Sequence, residues 1–283
     1  MFLMSESKEL YTLSGDAEPL CDLFFELSNE VRLDIIRLIE GKPSKLSQIA
    51  KELDLPVQEV SRQLARLLKV RLIAKNPEGF YLVSPQGRNV IRLLPGFMFL
   101  SKNSDYLDKN SLDNVPSSFM GRIGELVVST TVEEIMNTFV SVERLMHESE
   151  EFFWYMTDQN LVSANAYELG AEALNRGVKI KCIEPVNYSP PEELTHKVPE
   201  EIRETFSEHR VKGNIVDRVL PSIDIILYMN EKEVGVLGFP TSDRSFDYLG
   251  FTSKDEFFIK WCKDLHEYYW DLGKARDDYY IKK

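Results

Sequence analysis

The sequence predicts a two-domain fold, α+β followed by α/β: a winged helix-turn-helix near the N-terminus and a larger α/β sheet domain behind it. Three observations carry this. Between Leu20 and Leu94, apolar residues recur at helical spacing in short blocks broken by Gly, Pro and Asn, with one alternating stretch among them. Beyond Phe152, strand-like and helix-like blocks alternate, which favours a sheet covered by helices. A chain of 283 residues is also long enough to bury two cores of ordinary size.

Residues 1–15 show no sustained period and read as a loose N-terminal arm. From Glu18, the positions Leu20, Leu23, Phe24 and Leu27 follow the i, i+3, i+4, i+7 rule of a helix with one buried face. Ser28 or Asn29 can cap a second helix, lined by Val31, Ile35, Leu38 and Ile39 and stopped by Gly41 and Pro43. Ser44 opens a third, with Leu46, Ile49, Ala50 and Leu53 inward and an end near Asp54. Leu55 and Pro56 turn the chain into a fourth helix, whose stripe is Val57, Val60, Leu64, Leu67 and Leu68. Two short helices across a tight turn make a helix-turn-helix. After Lys69 the period becomes alternating, and residues 72–75 and 80–83 read as a hairpin across Asn76-Pro77-Glu78-Gly79, the wing. Ser84 and Pro85 start one more helix through Val90, Ile91, Leu93 and Leu94. Pro95-Gly96 closes it, giving a first domain of residues 16–95.

Residues 96–118 mix Ser, Asn, Asp and Pro with Phe97, Met98 and Phe99 and read as a linker partly packed onto a neighbour. A domain of residues 119–276 and a tail of residues 277–283 follow. Helical spacing resumes at Ile123, Leu126 and Val127. Thr130 with Glu133, and Thr131 with Glu134, have capping-box spacing ahead of a long helix with Val132, Ile135, Phe139, Val142 and Met146 inward. Strands are expected at 152–156, 178–183, 211–216, 223–229 and 234–239, the last two joined across Asn230 and Glu231, with helices at 161–175 and 199–209. Ser253 with Glu256 caps a final helix that turns Phe258, Trp261, Leu265, Tyr268 and Leu272 to one face.

Composition narrows the function. With 43% hydrophobic and 28% charged residues the chain is globular, not disordered. Its longest apolar runs, around 223–229 and 234–239, are far shorter than a bilayer span, and acidic residues stand where a signal peptide is basic, so a cytoplasmic protein is expected. Cys21, Cys182 and Cys262 are isolated, which leaves no disulfide framework and no metal ligand run; reduced cysteine and no metal or cofactor are expected. The net charge of −12 is uneven: from Glu40 to Pro95 ten Lys/Arg face five Asp/Glu, so that stretch is near +5 and the remainder near −17.

That local basic excess bears on chemistry. With the stripe of the fourth helix turned inward, Gln58, Ser61, Arg62, Arg66 and Lys69 lie on or beside its outer face. The N-terminal part of such a helix approaches base edges, which makes Gln58, Ser61 and Arg62, with Gln63 beside them, the expected readers of sequence. Arg66, Lys69, Arg71 and Lys75 are the expected phosphate contacts, where charge matters more than geometry. Taken singly, each is equally a solvated helix charge. Glu59 and the wing-tip Glu78 oppose phosphate on their sides.

The segment Leu55-Pro56-Val57-Gln58-Glu59-Val60-Ser61-Arg62-Gln63-Leu64 resembles the arsenic-repressor-like winged-helix regulators. Their metal-sensing members pair cysteines and histidines on a helix; nothing comparable occurs here, so metal sensing is not carried over. Val115-Pro116-Ser117-Ser118-Phe119-Met120-Gly121-Arg122-Ile123-Gly124-Glu125-Leu126, then Gly177-Val178-Lys179-Ile180-Lys181, Val234-Gly235-Val236-Leu237 and the region 261–269 are similar to archaeal regulators of the methanogenesis regulatory protein type. The two resemblances imply a DNA-reading head with a phospholipase-D-like α/β domain used for regulation.

Phosphoryl transfer of that kind needs a nucleophilic histidine in a His-x-Lys-x-x-x-x-Asp run, and none of His147, His196, His209 or His266 sits in one. No phosphate loop, His-Glu-x-x-His or Gly-x-Ser-x-Gly occurs either, so no enzyme is expected. If a small-molecule effector binds, the carboxyl ends of the strands are the place, offering Asp158, Glu184 and Asn187, with Trp154 and Tyr228 as pocket walls or as plain core aromatics. Two readings remain open: a sequence-specific regulator of double-stranded DNA, modulated through the second domain, or a non-sensing DNA-binding protein whose second domain only dimerises or docks a partner. A homodimer is expected in either, because a single winged helix touches few base pairs, and the helices at 132–146 and 257–272 are the candidate interfaces.

Overall fold

The computed structural model describes residues 17–159, 164–189 and 198–276. The expected arm 1–15, the start of the helix expected from 161 and the tail 277–283 lie outside the described residues. The chain divides between Leu94 and Pro95 into two compact units.

In the first unit α1 (Ala17–Leu27), α2 (Glu30–Gly41), α3 (Leu46–Glu52) and α4 (Val57–Lys69) precede the hairpin β1 (Ile73–Lys75) and β2 (Tyr81–Val83). Asn29 caps α2, its Oδ1 accepting from the Arg32 N–H at 3.1 Å. Ser44, expected to cap α3, does not; its backbone exchanges two hydrogen bonds with Tyr81 (3.1 and 2.9 Å), an isolated bridge on the other side of β2. Lys45 takes the cap position, its N–H donating to Gln48 Oε1 at 2.8 Å. The wing pairs Ile73 with Val83 and Lys75 with Tyr81. It turns through Gly79 at φ 86°, a conformation costly for any side chain. Ile35, Ile36, Ile39, Ile49, Val60, Leu64, Leu67 and Leu72 close the core.

The next helix, α5 (Pro85–Lys102), does not close at Pro95-Gly96; Pro95 lies inside it. Proline gives up one backbone bond there, and the continued helix buries Phe99 completely in the second core. Residues 96–118 are therefore not a linker. They hold the end of α5, α6 (Ser104–Leu107) and the start of α7 (Ser117–Met120), and Asn110 bridges to Thr241 while Val115 packs into the core.

The second unit is built on an eight-stranded mixed sheet of β3 (Thr130–Val132), β4 (Phe152–Met156), β5 (Lys179–Pro185), β6 (Ile215–Leu220), β7 (Ile226–Asn230), β8 (Val234–Gly238), β9 (Gly250–Ser253) and β10 (Lys274–Ala275), in the spatial order β10-β6-β5-β4-β7-β8-β9-β3. Only β4–β5 and β5–β6 are parallel. Both faces are covered, and β7 and β8 are buried along their whole length. One core gathers Trp154, Met156, Ile183, Leu237 and Phe251 with Phe258, Trp261 and Leu265 of α11 (Glu256–Leu272). The opposite core gathers Phe153, Ile180, Ile226 and Tyr228 with α8 (Ile135–Glu148) and α9 (Ala164–Asn175).

Several expected elements shift. Thr130 and Thr131 form β3, paired with β9, instead of capping a helix, and α8 begins after Glu134. Val211 ends α10 (Glu200–Val211) and is 89% exposed; the strand expected at 211–216 starts at Ile215. Asp255 caps α11 in place of Ser253, accepting from the N–H groups of Phe257 and Phe258 at 2.9 and 3.1 Å. On α11, Tyr268 and Leu272 face solvent, while Cys262, His266 and Tyr269 are buried. Cys21 on α1 is exposed, whereas Cys182 is buried like Cys262. No helix among the described residues is long and apolar enough to cross a membrane.

Candidate nucleic-acid interface

Helix α4 is amphipathic because Val60, Leu64 and Leu67 recur every third or fourth residue, and all three are fully buried. Pro56 presets the backbone at its start, at φ −58°. The face turned away from this stripe carries Gln58, Ser61, Arg62 and Lys69, each exposed. Arg62 donates to Glu59 at 2.6 Å one turn back, an exposed pair that phosphate or base can displace at little cost.

Two of the expected contacts, Gln63 and Arg66, are engaged within the unit. Gln63 is buried, and its amide is spent inside the unit: Oε1 accepts from Arg32 Nη1 at 2.9 Å and Nε2 donates to Glu59 Oε1 at 2.5 Å. Its amide thus joins α4 to the buried Arg32 of α2. Arg66 is half-buried and held by Glu26, Nε and Nη2 donating at 2.8 and 3.0 Å, with its guanidinium 5.0 Å from the Phe25 ring. The Arg66 hydrogen bonds hold the Glu26 carboxyl below its ordinary range against the opposing effect of burial, and Arg32 adds to the attraction. Arg66 is a cross-brace from α4 to α1 before it is a phosphate ligand.

Arg71 is exposed and stands at φ 59° in the turn after α4, where the main chain reverses into the wing. Lys75 is exposed at the end of β1, with Nζ 5.2 Å from the Tyr81 ring. Sequence reasoning missed Lys45 and Lys51, which are exposed at the two ends of α3, Lys45 with Nζ 4.9 Å from the Phe80 ring of the wing. The signal available was position: the helix before a recognition helix crosses the backbone of bound duplex.

In the second unit the expected ligand contacts separate. Tyr228 is buried on the α8–α9 face and stacks on Tyr155, ring centroids 5.5 Å apart and planes 4° from parallel. Glu184 is buried on that same face. It accepts from Arg276 Nη1 at 2.7 Å, and burial raises its pKa although Arg276 pulls the other way. Trp154 faces the opposite core, stacked on His266 at 5.0 Å, with Lys181 Nζ 4.2 Å above it; alternation along β4 makes it core and not pocket wall. Burial pushes the His266 imidazole down to about 3, so it is neutral. Asp158 accepts from Tyr248 Oη at 2.5 Å, and Asn187 is exposed in the turn after β5.

The expected Tyr228 begins a row in register across four strands, Tyr228–Tyr155–Cys182–Asp217, whose other three members sequence reasoning missed. Burial pushes the Tyr155 hydroxyl and the Cys182 thiol well up, so both stay protonated, and Asp217 accepts from Arg210 Nε of α10 at 3.0 Å. Beside the row lies a cavity of about 70 Å³ that opens to solvent.

Residues 27–76 match the model of a family described as a helix-turn-helix domain. No curated protein matches the chain. Among solved structures, TrmBL2, an archaeal chromatin protein described as showing a novel mode of DNA binding, is 14% identical over 91% of this chain and 97% of its own, with a TM-score of 0.40. Nuc from Salmonella typhimurium, a phospholipase D family member, is 10% identical over 49% of this chain and 90% of its own (TM-score 0.35). NucT from Helicobacter pylori is 12% identical over 52% and 97% (TM-score 0.37). At these scores the likenesses pass neither chemistry nor partners to this chain.

Proposed function

We propose that the chain is a transcriptional regulator that binds double-stranded DNA in a sequence-specific way through α4, as a homodimer, with the second unit modulating that binding. The observation that carries the reading is the solvent-facing row Gln58, Ser61, Arg62 and Lys69, on a helix fixed from behind by a closed core and preceded by the turn of a helix-turn-helix domain. Lys45, Lys51, Arg71 and Lys75 surround it with positive charge in a chain otherwise strongly acidic. Gln58 and Ser61 sit in the first turns, where such helices meet base edges.

Dimerisation is supported by apolar residues left open on the two helices expected to serve it, Met136 and Val140 of α8 (63% and 60% exposed) and Phe257 of α11 (60%). The second unit is assigned regulation and not phosphodiester chemistry, because no histidine stands in the run that chemistry requires. A regulator of this kind works in the cytoplasm. The test is selection of bound duplexes from a random pool by the full-length protein. A recovered two-fold motif with half-sites about one helical turn apart is expected, and an unenriched pool overturns sequence-specific reading.

A further inference from the structure

The cavity beside the polar row has the features of a built site. Phe153, Tyr155, Tyr167, Phe206 and Tyr228 supply aromatic walls, and Arg210 enters the lining from α10. Arg210 and the phenols of Tyr155, Tyr167 and Tyr228 are the polar members of the described lining, and its other side chains are apolar. The volume of about 70 Å³ is the space of about five water-sized spheres. The charged groups described around it pair off, Arg210 with Asp217 at 3.0 Å and Arg276 with Glu184 at 2.7 Å. A ligand bearing net charge would enter this partly open cavity at a desolvation cost, and among the described residues each charged group beside it is already paired. A neutral oxygen, in contrast, can share the phenol of Tyr167 in the lining while its hydrocarbon part covers the apolar walls.

We infer that this cavity binds a small neutral molecule of about four to six heavy atoms, apolar except for one carbonyl or hydroxyl oxygen, such as a short ketone or secondary alcohol. The inference deepens the reading of the second unit as regulatory and rests on it for its consequence, though not for the binding itself. The cavity lies between the sheet and helices α8, α9 and α10, so occupancy bears on how those helices pack. Gly170 of α9 marks the wall that admits the ligand: a Cβ there would approach Phe206 Cζ at 3.0 Å, so any larger side chain takes space from the ligand or displaces that ring.

The experiment uses the full-length protein with ¹³C-methyl methionine. Met146 lines the cavity, and its signal is assigned by loss in Met146→Leu. Acetone, propan-2-ol, acetate and isopropylammonium, four probes of nearly equal size and different charge, are titrated into the millimolar range, since so few atoms bind weakly. Saturable shifts of the Met146 methyl with acetone and propan-2-ol, their absence with both ions, and their loss in Gly170→Val support the site. Val142→Ala, which widens the cavity, should keep binding and so guards against a Gly170→Val chain that merely misfolds. Linear unsaturated shifts, shifts that persist in a folded Gly170→Val protein, or stronger binding of acetate overturn it. DNA affinity measured at saturating acetone separates the two readings. Binding without a change in DNA affinity leaves the site standing and overturns its regulatory use; absence of binding overturns the site and leaves the DNA reading untouched.

Discussion

Glu26 of α1 grips Arg66 of α4 through two hydrogen bonds, at 2.8 and 3.0 Å, and also faces the buried Arg32 at 3.2 Å. One carboxylate thus neutralises two guanidinium groups behind the recognition helix. Removing it strands Arg32 in the interior, and Glu26→Gln should destabilise the first unit by about 3–5 kcal/mol in chemical denaturation. Because the folded pKa of Glu26 lies below its ordinary 4.5, its contribution is complete above pH 4.5 and is lost as pH falls through the lowered value. Wild-type stability minus Glu26→Gln stability should therefore be flat from pH 5 to 7 and shrink in acid. A difference that grows in acid would refute the assignment.

Gln63 supplies a second test, because its amide joins Arg32 to Glu59 inside the unit. Gln63→Ala should cost about 1–3 kcal/mol by leaving the buried Arg32 Nη1 without its acceptor. The base preference recovered by selection should be unchanged. Altered preference with unaltered stability would return Gln63 to the list of readers.

Arg62 and Lys69 are exposed on the same face but at different distances from the helix start. Arg62→Ala should relax preference at particular base positions. Lys69→Ala should weaken all sequences alike and make the salt slope of a dimer less negative by about two, from a wild-type slope on the order of −5 to −9. Identical profiles for the two variants at every base position would contradict this division.

Gly87 shows how closely the start of α5 is laid against the wing. A Cβ there would stand 1.9 Å from the Leu72 carbonyl oxygen, which accepts the Ser84 N–H at 3.0 Å. Backbone cannot yield as a flexible side chain does, so Gly87→Ala should cost about 1–3 kcal/mol, read as a lower urea midpoint with unchanged slope. Wild-type stability in this variant would show that the approach relaxes.

The four-helix order, the wing and the inward stripe of α4 were legible because each rests on local periodicity and turn chemistry, as at Leu55-Pro56 and Asn76–Gly79. What was not legible depended on partners remote in sequence. Thr130 and Thr131 carry cap spacing, yet a partner strand at Thr252 and Phe251 recruits them. Pro95 carries a stop signal that the burial of Phe99 overrides. Gln63 looks like its polar neighbours on α4 until Arg32, thirty-one residues away, claims its amide. In the second unit, Trp154 and Tyr155 are adjacent in sequence and face opposite cores, and only the register with Cys182 and Tyr228 shows which of them stands by the cavity.

Cys182 and Cys262 are sealed within the second unit, and burial pushes both thiols well up, so neither offers a thiolate at neutral pH. Cys21 alone is open, on α1 of the first unit. The native chain consequently carries its own attachment point for a maleimide spin label, with no engineered cysteine and nothing to remove. In a two-fold assembly the two labels report one head-to-head distance, and following that distance through titrations of duplex or small molecule turns the chain into its own ruler.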